Sequence, residues 1–84
     1  MRHRAEPSFW RLYEELPDEV QEQANRAYEL LKTNHRHPSL HFKRVGHLRT
    51  VRVGLHYRAV GAPAGDDLVW FWIGTHAEYD QLIG

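Results

Sequence analysis

Residues 48–60 read Leu48-Arg49-Thr50-Val51-Arg52-Val53-Gly54-Leu55-His56-Tyr57-Arg58-Ala59-Val60. Apolar and polar side chains alternate on both sides of Gly54. A period of two puts successive side chains on opposite faces of a strand. Val51 and Val53 thus share one face of a strand over Leu48 to Val53, and Thr50 and Arg52 share the other. Tyr57 and Ala59 stand opposite His56 and Arg58 on a second strand, His56 to Val60. Gly54-Leu55 between them reads as a tight turn. A hairpin closed there brings Arg52 and Arg58 to one face.

The flanks extend the sheet. Upstream, Leu40 to Val45 reads as a strand, with a turn at Gly46-His47. Downstream, Gly61-Ala62-Pro63-Ala64-Gly65-Asp66-Asp67 is a loop by composition. Leu68 to Ile73 is a nearly continuous apolar run, expected as a central strand buried on both faces. Regular alternation would place Trp70 and Trp72 on one of its faces and Val69, Phe71 and Ile73 on the other. Thr75 followed by Glu78 is a capping box that opens a short last helix.

Before Pro38 the period is that of a helix. Phe9, Leu12, Tyr13 and Leu16 fall at i, i+3, i+4, i+7 on a helix over about Pro7 to Leu16. Pro7 suits a first turn. Pro17 ends this helix and opens a second, with Asp18, Glu19 and Glu22 complementing its positive end. Val20, Ala24, Ala27 and Leu31 carry its apolar face to about Thr33, where Asn34 is a plausible stop. The expected fold is α+β: a helical hairpin packed on a small antiparallel sheet of about four strands, plus a short C-terminal helix. Residues 1–84 are expected to form one domain.

Eighty-four residues with 42% apolar content and 26% charge describe a small folded chain. There is no cysteine, which excludes disulfide frameworks and cysteine-based zinc sites. Met1 to Glu15 lacks the apolar run of a leader, and no stretch approaches the ~20 apolar residues of a membrane span. The expectation is a cytoplasmic protein without a membrane partner. Net charge is zero but unevenly spread. Residues 1–30 carry four arginines against seven acids, and residues 61–84 carry four acids and no base. Residues 31–60 carry seven lysines and arginines and no acid, along with five of the seven histidines. A stretch of that sign points to a polyanion partner, because local field attracts phosphates. The plainer account is a solvated basic surface pairing with acidic helices.

Metal-free chemistry on the phosphates of a polyanion needs a base, cations for the charge that grows on phosphorus and an acid for the leaving oxygen. Arg52 and Arg58 offer forked donors matched to phosphate oxygens. Lys43 can contact phosphate as well, while Arg44 points to the other face of a regular strand. His76 and Tyr79 are three apart on the last helix and share a face. Histidine carries protons near neutral pH, and tyrosine stacks on bases. His35-x-His37 with His41 is too sparse for a metal site; a loop touching phosphate through His37 fits better, and a simple solvated loop better still. Trp10, Trp70, Trp72, Phe9 and Phe71 read mainly as core. No cofactor is called for.

His37-Pro38-Ser39-Leu40-His41-Phe42-Lys43, then Val51-Arg52-Val53-Gly54, then Tyr57-Arg58, then Phe71-Trp72-Ile73-Gly74-Thr75-His76-Ala77-Glu78-Tyr79 resemble the RelE/ParE superfamily of type II toxin–antitoxin toxins. Their order and spacing cover about Phe9 to Ile83. The resemblance implies a microbial-ribonuclease-like fold and an antitoxin that wraps and blocks the toxin. RelE-like members cleave messenger RNA on the ribosome and stop translation. ParE-like members inhibit DNA gyrase without a catalytic set. For this chain the first activity would use Arg52, Arg58, His76 and Tyr79 in catalysis, with Lys43, Arg52, Arg58 and His37 on phosphate. The alternatives are a non-enzymatic gyrase inhibitor or a degenerate toxin fold kept as a binding module. Most members begin with an apolar edge strand. Here Met1 to Glu6 is short and charged, so that strand is expected to be curtailed or absent. Residues 31–60 also lack the carboxylate that several cleaving members place on the active face.

Overall fold

A computed structural model of the chain describes residues 2–83. The elements in order are β1 (Arg2–Ala5), α1 (Pro7–Glu14), α2 (Asp18–Asn34), a 3-10 turn (Pro38–Leu40), β2 (Lys43–Val45), β3 (Leu48–Val53), β4 (Tyr57–Ala64), β5 (Asp67–Thr75) and α3 (His76–Ile83). The strands form one sheet in the order β1-β5-β4-β3-β2. β1 runs parallel to β5, and the remaining pairs are antiparallel. The α+β class, the helical hairpin and the terminal helix are as the sequence predicts. The sheet has five strands rather than about four.

The additional strand is the one expected to be short or missing. It is indeed short, yet it is formed. Arg2 and Arg4 are exposed while His3 and Ala5 are half-buried, so a period of two is present beneath the charges. Arg4 Nε lies 3.3 Å from the Asp67 carboxylate across the parallel pair. A charged edge strand also resists pairing with other chains.

The strand expected over Leu40 to Val45 begins only at Lys43. Pro38 opens a single 3-10 turn instead, Leu40 is driven into the core, and His41 adopts a left-handed backbone with φ 46° and ψ 46°. That left-handed residue interrupts the extended run. The loop expected over 61–67 is mostly strand. Ala62, Pro63 and Ala64 pair with Val69, Leu68 and Asp67, leaving Gly65-Asp66 as the turn. Pro63 is tolerated because β3 reaches only as far as Gly61. Beyond that point β4 has an open edge, where a missing N–H costs no ladder bond.

The core lies between the sheet and the helical hairpin of α1 and α2. Val51, Val53, Ala59, Leu68, Trp70 and Ile73 from the sheet meet Val20, Ala27 and Leu31 from α2. Fully burying one such aliphatic side chain contributes roughly 1.5–3 kcal/mol. α1 has no fully buried residue, but Phe9, Leu12 and Tyr13 pack against this core. Ser8 Oγ donates to the Phe71 carbonyl at 2.9 Å and ties α1 to β5.

A β-bulge corrects the expected facing of the tryptophans. The β4–β5 register shifts between Val60, which pairs with Trp72, and Gly61, which pairs with Trp70. Phe71 is the extra residue. Trp70 and Ile73 therefore both reach the core, while Trp72 stands across from Val60 on the far face. Gly61 is needed there, since a Cβ would come within 2.9 Å of the Trp70 ring. β5 is interior to the sheet but not buried throughout: Val69, Phe71 and Trp72 are half-buried. Among the residues expected in the core, Trp10 is half exposed, at 50%.

Candidate functional site

The face of the sheet turned away from α1 and α2 is organised in rows by strand register. Lys43, Thr50, Val60 and Trp72 form one row, and Arg52, Arg58 and Gly74 form the next. Cross-strand partners project to the same side, with Cβ atoms about 5 Å apart. Arg52 and Arg58 are direct partners, as the hairpin reading of residues 48–60 requires. Lys43 is diagonal to Arg52, within reach for a long side chain. Arg44 pairs with Arg49 in the alternate row and belongs to the other face.

Two like charges set directly opposite one another are mildly destabilising, by about 0.2–1 kcal/mol. Among the described residues, neither Arg52 nor Arg58 has a carboxylate partner. Each is instead fixed through uncharged acceptors. Arg52 Nε donates to the Gly54 carbonyl at 3.0 Å, and its Nη1 lies 3.2 Å from His41 Nε2. Arg58 Nε donates to His76 Nδ1 at 3.1 Å, and its guanidinium carbon sits 5.3 Å from the centre of the Tyr79 ring. Both side chains are held in place while their charge stays uncompensated. That combination is suited to an anion with several oxygens.

Local chemistry at the start of α3 delivers His76. The Thr75 N–H and hydroxyl both reach Glu78 Oε1, at 2.8 and 3.0 Å, and Thr75 Oγ1 accepts from the Glu78 N–H at 3.1 Å. This is the capping box read from the sequence. These bonds, the Thr75 backbone one first, hold the Glu78 carboxyl below its ordinary value. The His76 N–H donates to the His56 carbonyl at 2.7 Å, tying the helix start to the β3–β4 turn. Gly74 leaves room for the join, because a Cβ would come within 2.7 Å of the Trp72 ring and 2.9 Å of Glu78. The His76 and Tyr79 rings are stacked, with centroids 6.1 Å apart.

The ring nitrogens of His76 have distinct partners. Arginine can only donate, so Nδ1 is the acceptor nitrogen, and the neutral ring carries its hydrogen on Nε2. Nε2 faces the Asp80 carboxylate at 3.6 Å, one helical turn on. Asp80 is a carboxylate at the site that the sequence reading missed by searching only residues 31–60. Its i, i+4 spacing from His76 was the available signal.

The three loop histidines separate. His35 packs edge-on against Phe42, with centroids 5.5 Å apart. His37 caps the 3-10 turn, with Nδ1 3.2 Å from the Ser39 N–H and 2.8 Å from its hydroxyl. His41 reaches Arg52. His37 and His41 line one shallow depression of about 410 Å³, so His37 adjoins the arginine pair through His41 rather than by direct contact. Among the described residues, no group of three or more metal-ligating side chains converges. No helix among them is long and apolar enough to cross a membrane.

A profile for the ParE-like toxin domain matches residues 18–81, from the start of α2 through most of α3. The chain belongs to the ParE-like toxin domain family. Solved toxins share the fold of this ParE-like domain. The RelB–RelE antitoxin–toxin complex from Methanococcus jannaschii contains a chain similar with a TM-score of 0.75 at 13% identity, over 96% of this chain and 99% of that one. A YoeB/ParE toxin from Agrobacterium tumefaciens gives 0.67 at 16% identity, over 90% and 99%. A copper-bound mutant toxin from Helicobacter pylori gives 0.66 at 16% identity, over 93% and 97%. No curated protein matches the sequence. The RelE/ParE resemblance seen in the sequence is borne out, and the protein is a toxin of this type.

Proposed function

We propose that this ParE-like toxin domain is a metal-independent endoribonuclease that cuts messenger RNA, on the ribosome, and so stops translation. The observation that carries the reading is the opposed pair Arg52 and Arg58, uncompensated by any described carboxylate and joined through Arg58 to His76. In the reaction, the two guanidiniums hold the scissile phosphate and stabilise the charge that grows on it. Lys43 and His37 contact neighbouring phosphates. As the phosphate draws the Arg58 donors, His76 Nδ1 is released and takes the 2′-OH proton. Asp80 holds the ring by its other nitrogen, the part played by the third member of a triad. Tyr79 stacks on the exposed base beside the cut. The 2′-oxygen bonds to phosphorus, the bond to the 5′-oxygen breaks, and the products are a 2′,3′-cyclic phosphate and a 5′-hydroxyl. No cofactor enters.

A cognate antitoxin is proposed as the protein partner, by analogy with the archaeal RelB–RelE complex, and the cytoplasm as the site of action. The test is to add purified protein to translating ribosomes and map the message ends. Cuts ending in cyclic phosphate, absent with Arg58→Ala, are expected. The ParE-like family match supports a second reading, a gyrase inhibitor that acts by protein contact. Intact messages together with blocked supercoiling by purified gyrase would replace the first reading with the second.

A further inference from the structure

The arginine pair is bracketed by histidine at both ends. Arg58 donates to His76 Nδ1 at 3.1 Å, and on the other side Arg52 Nη1 approaches His41 Nε2 at 3.2 Å. His41 comes from a different part of the chain, the end of the 3-10 turn before β2. Its backbone is strained: among the described residues it alone combines a side chain with a positive φ, at 46°. Such a conformation costs on the order of 1 kcal/mol or more, and strain of this kind gathers at working sites. It persists because Leu40 beside it is buried and the His41 N–H donates to the Pro38 carbonyl at 3.2 Å. The imidazole itself is exposed.

We infer that His41 is the second proton carrier of the site, the general acid that protonates the departing 5′-oxygen. This rests on the RNA-cleavage reading above, which names a base and leaves the acid unassigned. Arginine only donates, so His41 Nε2 presents its lone pair to Arg52 in the free protein. A phosphate that engages the Arg52 donors frees Nε2 to carry a proton beside the same phosphate. One anion thus releases both imidazoles together, on opposite flanks of the scissile bond. Once freed from Arg52, His41 Nε2 takes up a proton from water, and the balance then closes: the 2′-OH gives its proton to His76 Nδ1, the His41 imidazolium gives one to the 5′-oxygen, and His76 returns its proton to solvent.

The variant His41→Asn is the useful one, because asparagine accepts a left-handed backbone better than most residues and cannot carry the proton. The probes are a message with its natural 5′-oxygen at the mapped cut site and the same message with sulfur bridging there. A thiolate leaves without needing an acid. His41→Asn is expected to cut the oxygen message about 100-fold more slowly and the sulfur message at nearly the wild-type rate. His76→Asn is expected to slow both. Equal loss on both linkages, or no loss on either, removes His41 from the chemistry while leaving the ribonuclease in place. A wild type that cuts neither message overturns the RNA-cleavage reading, and this inference with it.

Discussion

The two ends of the sheet make opposite use of polar groups. At the β1 end, a cleft of about 270 Å³ is walled by Phe9, Trp10, Tyr13, Tyr28 and Trp70, with His3 and Arg4 at its edge. Three of its polar side chains are matched within the protein. Arg4 faces Asp67, Tyr13 Oη donates to Asn25 at 2.8 Å, and Trp70 Nε1 donates to His3 Nδ1 at 3.1 Å. At the other end, on the far face, Arg52 and Arg58 hold uncharged partners and leave their charge uncancelled. Satisfied polar groups stabilise a fold, whereas two guanidiniums held side by side without a carboxylate keep donors free for an anion. On the proposed function, the contrast separates a region that holds the molecule together from one that acts on a target.

The largest effect expected from breaking this contrast is at Trp70. Trp70→Ala removes the ring from beneath the cleft and should destabilise the fold by about 3–5 kcal/mol, measured by denaturant unfolding. Arg58→Ala should do the reverse. Cleavage should fall roughly 100- to 1,000-fold, the scale of losing one donor to a developing oxyanion. The unfolding midpoint should hold or rise slightly, because a like-charge repulsion is relieved. A clear loss of stability in Arg58→Ala would show that the arginine pair is structural and that the two regions are less different than their contacts suggest.

Much of the arginine site was legible because period-two patterning fixes which residues share a face. Arg52 with Arg58, and His76 with Tyr79, follow from alternation and helical spacing alone. The failures have physical causes. The bulge at Val60/Gly61 adds one residue to β5 and separates Trp70 from Trp72, and no single-strand pattern announces it. β1 escaped notice because its inward residues are only His3 and Ala5, and what makes it a strand is its parallel partner Asp67–Trp70. Composition made 61–67 a loop, although Pro63 lies where β4 has lost one neighbour. His41 was read among possible metal ligands because spacing could not show that a left-handed turn would aim it at Arg52.

A smaller effect is expected at Thr50. It is fully buried in the row that adjoins Arg52, and its hydroxyl has no hydrogen-bond partner. Thr50→Val keeps the shape and removes the unmet polar atom, so it should stabilise the fold by about 1 kcal/mol. A loss of stability instead would show that the hydroxyl has an ordered water, and that the far face meets its polar needs as the cleft does.

The smallest effect sharpens the cleft side of the contrast. Partial burial, and next to it the positive charges nearby, push His3 below its ordinary value of 6.5. The neutral ring is the form that accepts from Trp70 Nε1, and protonation would set two donors against each other. The folded state thus binds the proton less readily than the unfolded chain, so stability rises with pH across the interval between the two values. The contribution is complete above pH 6.5 and is lost as the pH falls through the lower, folded value. Unfolding free energies measured from pH 7.5 down to 5 should decline, and His3→Gln, which keeps an acceptor but cannot titrate, should remove the His3 part of that decline. Glu78 enters only further down, because its lowered value places its loss below the ordinary 4.5. An unchanged slope in His3→Gln would mean that the cleft tolerates a charge, and the division between a satisfied end and an uncompensated end would have to be redrawn.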